Sequence, residues 1–291
     1  MIRSLKIFVL FAFALPAAFA QQYDLTYRLA EGTTYKFKRI ENTNGLAQTQ
    51  KGLFAEINKT VETFLAFRVE KLAADQFVVV YHQDTAFVSD RSTDDSETTI
   101  DFDNVLSKKP VRLTLTRRGE FRNAEPLEKL EPKGALVPVH PNMLARKALI
   151  LPILPSKPLS IGQTWTDVVD DTSRPRYNDP RLGEGSGLRL TRVRTTYNVD
   201  SMVTLQGLSC LKIVWTGTVS VEGKIIFASS ERFTEEESHV TGTLYVSVKD
   251  GLPIRFSIRN QKESTMAVFE TDSEVVPTFS TTETTLLFLP S

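Results

Sequence analysis

Short runs of alternating apolar and polar residues recur along most of this chain. Examples are Tyr35–Ile40, Val111–Thr116 and Leu244–Val248. Successive side chains of an extended strand point to opposite faces of a sheet, so this period of two is typical of strands with one buried face. Thr, Val, Phe, Tyr and Ile, which favour strands, are also common. The pattern predicts a mainly β protein with antiparallel, curved sheets.

Two further runs are apolar on successive residues, FVVVY at Phe77–Tyr81 and LKIVW at Leu211–Trp215. A strand of this composition is expected to be covered on both faces. Pairs that contain Gly separate the predicted strands, and Asp250–Gly251 gives the clearest hairpin because Asp-Gly accepts the positive φ of a tight turn.

One motif occurs twice, about 130 residues apart. Leu29–Arg39 reads LAEGTTYKFKR and Leu159–Val169 reads LSIGQTWTDVV, so both follow Leu-x-x-Gly-x-Thr-aromatic and run into a predicted strand. We expect the Leu to pack inward, the Gly to allow a turn and the aromatic residue to begin a sheet. This is a structural role rather than a catalytic one.

Other landmarks follow the two motifs in the same order. They are an aromatic-x-Val triplet, the heavily apolar strand, and a strand bounded by Gly119 or Gly251. We interpret them as a pseudo-repeat within a single domain, 21–291, with half one at about 23–125, a connector at 126–154 and half two at about 155–291. The alternative is chance agreement between common strand patterns.

The connector carries the best helix prediction, Pro141–Leu151. Proline suits the first helical position, the interior is rich in helix-forming residues, and Pro152 ends the segment. Its polar side is thin, so the helix is expected to lie against the concave face of a curved sheet. Two polar tracts, 89–104 and 170–187, are predicted to be long loops, mobile or ligand-binding. The first is acidic, and calcium binding is the alternative to a solvated loop.

The first twenty residues have the layout of a secretory signal peptide. Arg3 and Lys6 precede an apolar run of about nine residues, Ile7–Leu15, and Ala18-Phe19-Ala20 is a cleavage signal. We therefore predict cleavage after Ala20 and export to the periplasm or the extracellular space; a retained anchor is the alternative. No later segment has the roughly 18 unbroken apolar residues of a membrane-spanning helix, so the mature chain is expected to be soluble.

The charge and the cysteine content narrow the possible classes of protein further. The chain has 35 Lys and Arg against 35 Asp and Glu, and losing Arg3 and Lys6 with the leader makes the mature chain slightly acidic. A basic surface for nucleic acid is therefore not expected. Cys210 is the single cysteine, so no internal disulfide can form, and its apolar neighbours predict a buried thiol.

The motif Pro158-Leu-Ser-Ile-Gly-Gln-Thr-Trp165, preceded by the apolar connector, is similar to uncharacterised secreted bacterial β-rich proteins. More distantly, the layout of two β halves and a central helix resembles the lipoprotein carriers. That resemblance implies a strongly bent antiparallel sheet, a half-barrel, around a helix and an apolar cavity for acyl chains. This chain is longer and duplicated, and none of its residues matches a gating position of the carriers.

No constellation of residues predicts an enzyme. Asp171-Thr172-Ser173 resembles the way an aspartic protease presents a carboxylate, but the second candidate, Asp84, does not fall at the equivalent point of the repeat. The three histidines show no zinc-binding spacing, and neither a nucleophile elbow nor a phosphate-binding loop occurs. We therefore expect no catalytic residue, no metal and no cofactor.

Two functions remain as hypotheses. The first is a secreted or periplasmic non-enzymatic binding protein that encloses an apolar, lipid-like or peptide ligand. The second is a cell-envelope structural or protein-interaction module with a filled core, which binds through edge strands or through the two polar tracts. For the first, the predicted ligand-lining residues are Met143, Leu144, Ala148, Leu151, Trp165 and Trp215. The same residues could instead fill the core.

Overall fold

The structure is a computed structural model that describes residues 21–48, 54–91, 109–128, 151–174, 176–179, 183–227, 230–269 and 273–290. The predicted signal peptide, its cleavage site at Ala20 and most of the predicted helix, 141–150, lie outside the described residues. So do most of the acidic tract, 92–104, and three of the predicted ligand-lining residues, Met143, Leu144 and Ala148.

The described chain is mainly β and folds into antiparallel strands. Their bounds are Thr34–Gln48 (β1), Phe54–Leu72 (β2), Gln76–Asp90 (β3), Val111–Thr116 (β4), Phe121–Pro126 (β5), Thr164–Ser173 (β6), Arg176–Asp179 (β7), Gly183–Leu205 (β8), Leu208–Ile226 (β9), Glu231–Ser247 (β10), Pro253–Phe269 (β11) and Ser273–Leu289 (β12).

All these strands belong to one curved sheet of 12 strands rather than to separate sheets. The order is β5-β4-β3-β2-β1-β12-β11-β10-β9-β8-β6, and β7 pairs with β8 beyond the end of β6. The first half of the chain forms one side of the sheet and the second half the other. They join where β1 pairs with β12, from Lys36 opposite Leu289 to Ala47 opposite Thr278.

A single hydrophobic core lies on one face of the sheet, which we call the inner face. It includes Phe37, Phe67, Val79, Ile213 and Leu244, from five different strands. On several strands the buried residues alternate with more exposed ones, as in β2 from Val61 to Val69, where the odd-numbered residues are buried and the even-numbered ones are not. The alternation of the sequence therefore specifies which side chains enter the core.

Two segments without regular strand structure close one end of the sheet, 21–33 and 151–163. They meet at an isolated β-bridge between Tyr23 and Leu159, with both backbone hydrogen bonds formed. Arg118, in the β4–β5 turn, holds both segments: its guanidinium donates to the carbonyl oxygens of Leu25 and Pro155 and forms an ion pair with Asp24. We call this the closed end of the sheet.

The two copies of the repeated motif occupy equivalent places at the closed end. Gly32 N–H donates to Val69 O at 2.9 Å, and Gly162 N–H donates to Val199 O at 2.7 Å. Both glycines have positive φ, 77° and 83°. The leucines that begin the two motifs, Leu29 and Leu159, are both buried. The expected structural role of the motif is confirmed.

The equivalence continues across the neighbouring strands. Tyr35 pairs with Phe67, which pairs with Tyr81, and in the second half Trp165 pairs with Tyr197, which pairs with Trp215. The register shifts just after Val69 and again just after Val199. Strands β1 to β5 therefore correspond to β6, β8, β9, β10 and β11, while β12 has no counterpart in the first half.

Several sequence predictions require correction. The described parts of the connector contain no helix: Pro126 ends β5, and Leu151, the last residue of the predicted helix, lies in a bend. The tract 170–187 is not one long loop, because it contributes to β6, β7 and β8. Asp170–Ser173 becomes a strand because the backbone pairs with Arg189–Arg192 of β8, a long-range contact that overrides a composition typical of loops.

Candidate functional site

The described ligand-lining candidates lie at different depths. Leu151 is buried in the core near the closed end, whereas Trp165 and Trp215 are partly buried and pack against the core from the inner face. The two tryptophans share one line of side chains but do not touch each other directly, because Tyr197 lies between them.

Four aromatic side chains from neighbouring strands form a continuous row on the inner face. Trp165 stacks on Tyr197, with ring centroids 4.8 Å apart and planes 10° apart. Tyr197 contacts Trp215 at 6.2 Å, and Trp215 stacks on Phe256 at 5.4 Å. We call Trp165, Tyr197, Trp215 and Phe256 the aromatic row. Such offset stacks favour aromatic pairs beyond their area burial.

Gly242 allows the row to cross strand β10. Trp215 is paired with Gly242 in the register, and a Cβ atom at residue 242 would lie only 2.0 Å from the Trp215 ring. The indole therefore lies flat over the glycine and reaches Phe256 on the next strand. Any larger residue at this position would push the indole away from the sheet.

An open groove of about 590 Å³ runs past the Trp165 end of the row. Its volume is within the range of small-molecule binding sites. We call it the Trp165 groove, and it is bounded by Glu120, Ile153, Leu154, Pro155, Ser156, Lys157, Leu159, Gln163, Trp165, Thr166, Asp167, Val169, Val193, Thr195 and Tyr197. The floor is aromatic, and the walls combine aliphatic side chains with polar and charged ones.

The wall formed by 153–157 is held in place by the closed end. Leu154 is buried, and its N–H donates to Arg118 O at 2.7 Å. The Arg118 side chain binds the carbonyl oxygen of Pro155. Ile153, beside these anchored residues, is largely exposed and lines the groove. The wall is therefore fixed by backbone contacts while an apolar side chain remains accessible.

Charged groups border the groove. Asp167, on the exposed strand β6, lies near Tyr197, and Glu120 and Lys157 also line the groove. Burial raises the pKa of Tyr197, and the negative charge of Asp167 raises it further. The Tyr197 hydroxyl is therefore neutral at pH 7, and it is hydrogen-bonded to the side chain of Thr195, which also lines the groove.

The first half of the sheet provides an internal comparison for this site. The residues equivalent to Tyr197 and Trp215 are Phe67 and Tyr81, and each of these is only 2% exposed. In the second half both positions are partly exposed. The same structural motif is thus covered in one half and left accessible beside a groove in the other.

Beyond the core the inner face becomes polar. Thr63 and Ser238 are buried, and their hydroxyl groups have no hydrogen-bonding partner among the described residues. Farther along the strands, Lys262 forms an ion pair with Glu236 at 2.8 Å. An apolar ligand would not be stabilised there, because burying polar groups without partners is costly. On the described part of the inner face, the Trp165 groove is therefore the better candidate for an apolar ligand than this polar region.

Sequence reasoning identified Trp165 but missed Tyr197 and the wall 153–157. Tyr197 was available in the sequence as the aromatic landmark that follows the second motif. The wall had no such signal, because its position depends on the contact between Pro155 and Arg118, 37 residues away.

The weaker chemical candidates are not brought together. Asp171 is exposed on β6 at one end of the sheet, while Asp84 lies on β3 in the other half and pairs with His82 at 2.8 Å. Among the described residues, no group of three or more His, Cys, Asp or Glu side chains is arranged to hold a metal ion. Within the same part of the chain, no helix has the length and hydrophobicity to cross a membrane.

Comparison with known proteins found no matching family model and no matching curated protein. Among solved structures, OmpF of Salmonella typhi in complex with daunomycin is similar with 6% identity and a TM-score of 0.26, covering 86% of this chain and 97% of that chain. An outer membrane channel from Pseudomonas putida F1 has 7% identity and a TM-score of 0.19, covering 91% and 98%. Scores this low support no conclusion about function.

Proposed function

We propose that this protein is an exported, non-enzymatic binding protein that holds an apolar or amphipathic ligand, such as a lipid, in the Trp165 groove. The observation that carries the proposal is the accessible Trp165–Tyr197 stack on the floor of a cavity of about 590 Å³. The counterpart of Tyr197 in the first half, Phe67, is covered. Aromatic residues left partly exposed in a concave site are typical of ligand recognition.

The lining of the groove favours an amphiphile with a slender apolar part. Ile153, Val193 and the aromatic floor offer apolar contact area. Lys157 and Asp167 lie on the same lining and suit a polar head group. The groove is open rather than enclosed, which fits a ligand that lies along the sheet edge rather than inside the curved sheet.

The proposal also states that the protein binds its ligand without converting it chemically. Among the described lining residues, no hydrogen bond joins a nucleophile to a base; Thr166 instead bonds the hydroxyl of Thr196, and Gln163 accepts from the N–H of Ser160. Nucleophilic catalysis needs such a pair. Export rests on the N-terminal sequence pattern and is likewise part of the proposal.

The alternative function, a protein-interaction module of the cell envelope, is favoured by one specific observation. Strand β6 lies at the end of the sheet, and nine of its ten residues are exposed. This surface shares Asp167 and Val169 with the lining of the groove, but it would bind a partner through backbone groups rather than through an apolar cavity.

A fluorescent polyene fatty acid, parinaric acid, tests the binding proposal. We expect it to bind the mature chain and to quench tryptophan emission by energy transfer. Trp165→Ala should weaken binding about tenfold or more, as expected for a central aromatic anchor. The matched control is Tyr35→Ala, because Tyr35 is the equivalent residue of the first half and does not line the groove.

Non-specific adsorption needs its own control. Phe54 is 60% exposed at the far end of β2, away from the closed end. Phe54→Ser should leave parinaric acid binding unchanged. The proposal fails if Trp165→Ala binds as well as the parent, or if Phe54→Ser or Tyr35→Ala weakens binding as much as Trp165→Ala does.

A further inference from the structure

Strand β6 offers a regular edge. All ten of its residues, from Thr164 opposite Asn198 to Ser173 opposite Arg189, pair with β8 without a register shift. On its other side, no strand pairs with β6 among the residues that the structure describes. Such an edge presents a row of backbone N–H and C=O groups that can accept another strand.

The side chains of β6 define what kind of strand fits. Val168 and Val169 are 59% and 56% exposed. Asp167 and Asp171 lie on the inner face with Val169 between them, because each is two residues away from Val169 along the strand. Asp170 lies on the outer face, where Arg192 of β8 already forms an ion pair with it at 3.0 Å. Along the inner face of this edge, an acidic, an apolar and a second acidic side chain therefore follow one another.

We propose that the β6 edge binds an extended segment of a partner protein that carries a basic residue, an apolar residue and a second basic residue at alternate positions. The partner strand would add to the sheet through backbone hydrogen bonds, and its side chains would face Asp167, Val169 and Asp171. Strand addition of this kind takes affinity from the main chain and specificity from alternate side chains.

Charge argues against a second copy of this chain as the occupant. In an antiparallel β6–β6 pair centred on Val169, Asp167 of one copy lies opposite Asp171 of the other, twice. Like charges directly opposite each other destabilise a strand pair. The acidic edge thus disfavours self-association and favours a basic partner.

Two short acetylated and amidated peptides test the proposal by fluorescence anisotropy at low salt. One carries the core Lys-Thr-Val-Thr-Lys between Thr-Val flanks, and the other has Glu in place of both Lys residues. We expect the Lys peptide to bind the mature chain and the Glu peptide to bind at least tenfold more weakly. Asp171→Lys should weaken binding of the Lys peptide about threefold or more, as expected for loss of an exposed ion pair and gain of a like charge.

A third peptide separates strand addition from simple charge attraction. N-methylation of alternate residues of the Lys peptide removes backbone donors and keeps the charge, so its binding should be lost. Absence of binding by the unmodified Lys peptide, equal binding of the Lys and Glu peptides, or undiminished binding of the methylated peptide would each overturn the proposal. Asp171 does not line the Trp165 groove, so Asp171→Lys should leave parinaric acid binding intact, and the two proposals can fail separately.

Discussion

Tyr27 links the N-terminal segment to the wall of the groove. Its ring is fully buried and packs edge-on against Phe77, with centroids 5.9 Å apart. Its hydroxyl donates to the carbonyl oxygen of Pro152 at 2.7 Å, across 125 residues of sequence. Burial raises the pKa of Tyr27 well above its ordinary value of 10.0. The neutral phenol is therefore the form that the folded protein requires.

This shift predicts how stability changes in alkaline solution. A raised folded-state pKa gives a contribution that is fully present below about pH 10 and is lost as the pH rises towards the folded-state pKa. Tyr27→Phe should cost about 1 kcal/mol at pH 7, because the hydrogen bond to Pro152 is lost. Above pH 10 the variant should lose stability less steeply than the parent. Denaturant unfolding from pH 7 to 11 measures this difference, and parallel pH profiles would contradict it.

Cys210 shows how well a single residue can be interpreted from its neighbours. The run LSCLKIVW predicts a buried thiol, and Cys210 is completely buried, with burial raising its pKa. The signal at Tyr27 is weaker: its direct neighbours Thr26 and Arg28 are polar, although Leu25, Tyr27 and Leu29 alternate with them and all three are buried. Its burial results from Phe77 and Pro152, which are distant in sequence.

The two glycines of the repeated motif lie in the turns that lead into β1 and β6. Gly32 and Gly162 both have positive φ, and a Cβ atom at either position would meet no heavy atom within 4 Å. The requirement there is conformational rather than steric. Gly251, in the β10–β11 turn, differs because a Cβ atom would lie 2.2 Å from the carbonyl oxygen of Thr26 in the N-terminal segment.

These environments predict two different losses of stability when the glycines are replaced by alanine. Gly32→Ala and Gly162→Ala should each destabilise the protein by about 1–2 kcal/mol, and by similar amounts, because only the left-handed backbone conformation is strained. Gly251→Ala should cost clearly more, because the N-terminal segment must also move. Urea unfolding of the three variants checks the order. Unequal losses for the first two, or a small loss for Gly251→Ala, would contradict the equivalence described above.

At the level of the element, strands whose apolar and polar residues alternate strongly were predictable from the sequence. The strands formed by the tract 170–187 were not. Val111–Thr116 has the expected period of two and forms β4. Asp170–Ser173 has turn-forming residues nearby and still forms part of β6, because it pairs with Arg189–Arg192 of β8. Local composition reports the backbone preference of a segment but not the presence of a neighbouring strand.

The two halves share one core at the scale of the whole molecule. Phe37 from the first half contacts Phe288 of β12, with ring centroids 5.5 Å apart. Leu65 and Val79 belong to the same buried cluster as Ile213 and Leu244. Neither half closes its own sheet, because β1 lies in the middle of the order between β2 and β12.

Separate halves should therefore not fold by themselves. A fragment of residues 21–128 would expose the β1 edge and the core side chains that β12 covers, and the free energy of burying that apolar area would be lost. We expect weak near-ultraviolet circular dichroism and no cooperative urea transition for this fragment. The matched control is the same fragment mixed with residues 151–291. A cooperative transition of fragment 21–128 alone would contradict the shared core.

The sequence by itself determined the β class, the inward-facing positions of most strands and the equivalent roles of the two motifs, because these depend on alternation and on glycine at positive φ. Only the tertiary structure decided that the halves join through β1 and β12, that 153–157 is fixed beside Trp165, and that Tyr197 is left accessible while Phe67 is covered. The physical reason is distance along the chain. A pattern of neighbouring residues encodes which side of a strand is buried, but pairing partners and the depth of a side chain depend on residues tens to hundreds of positions away.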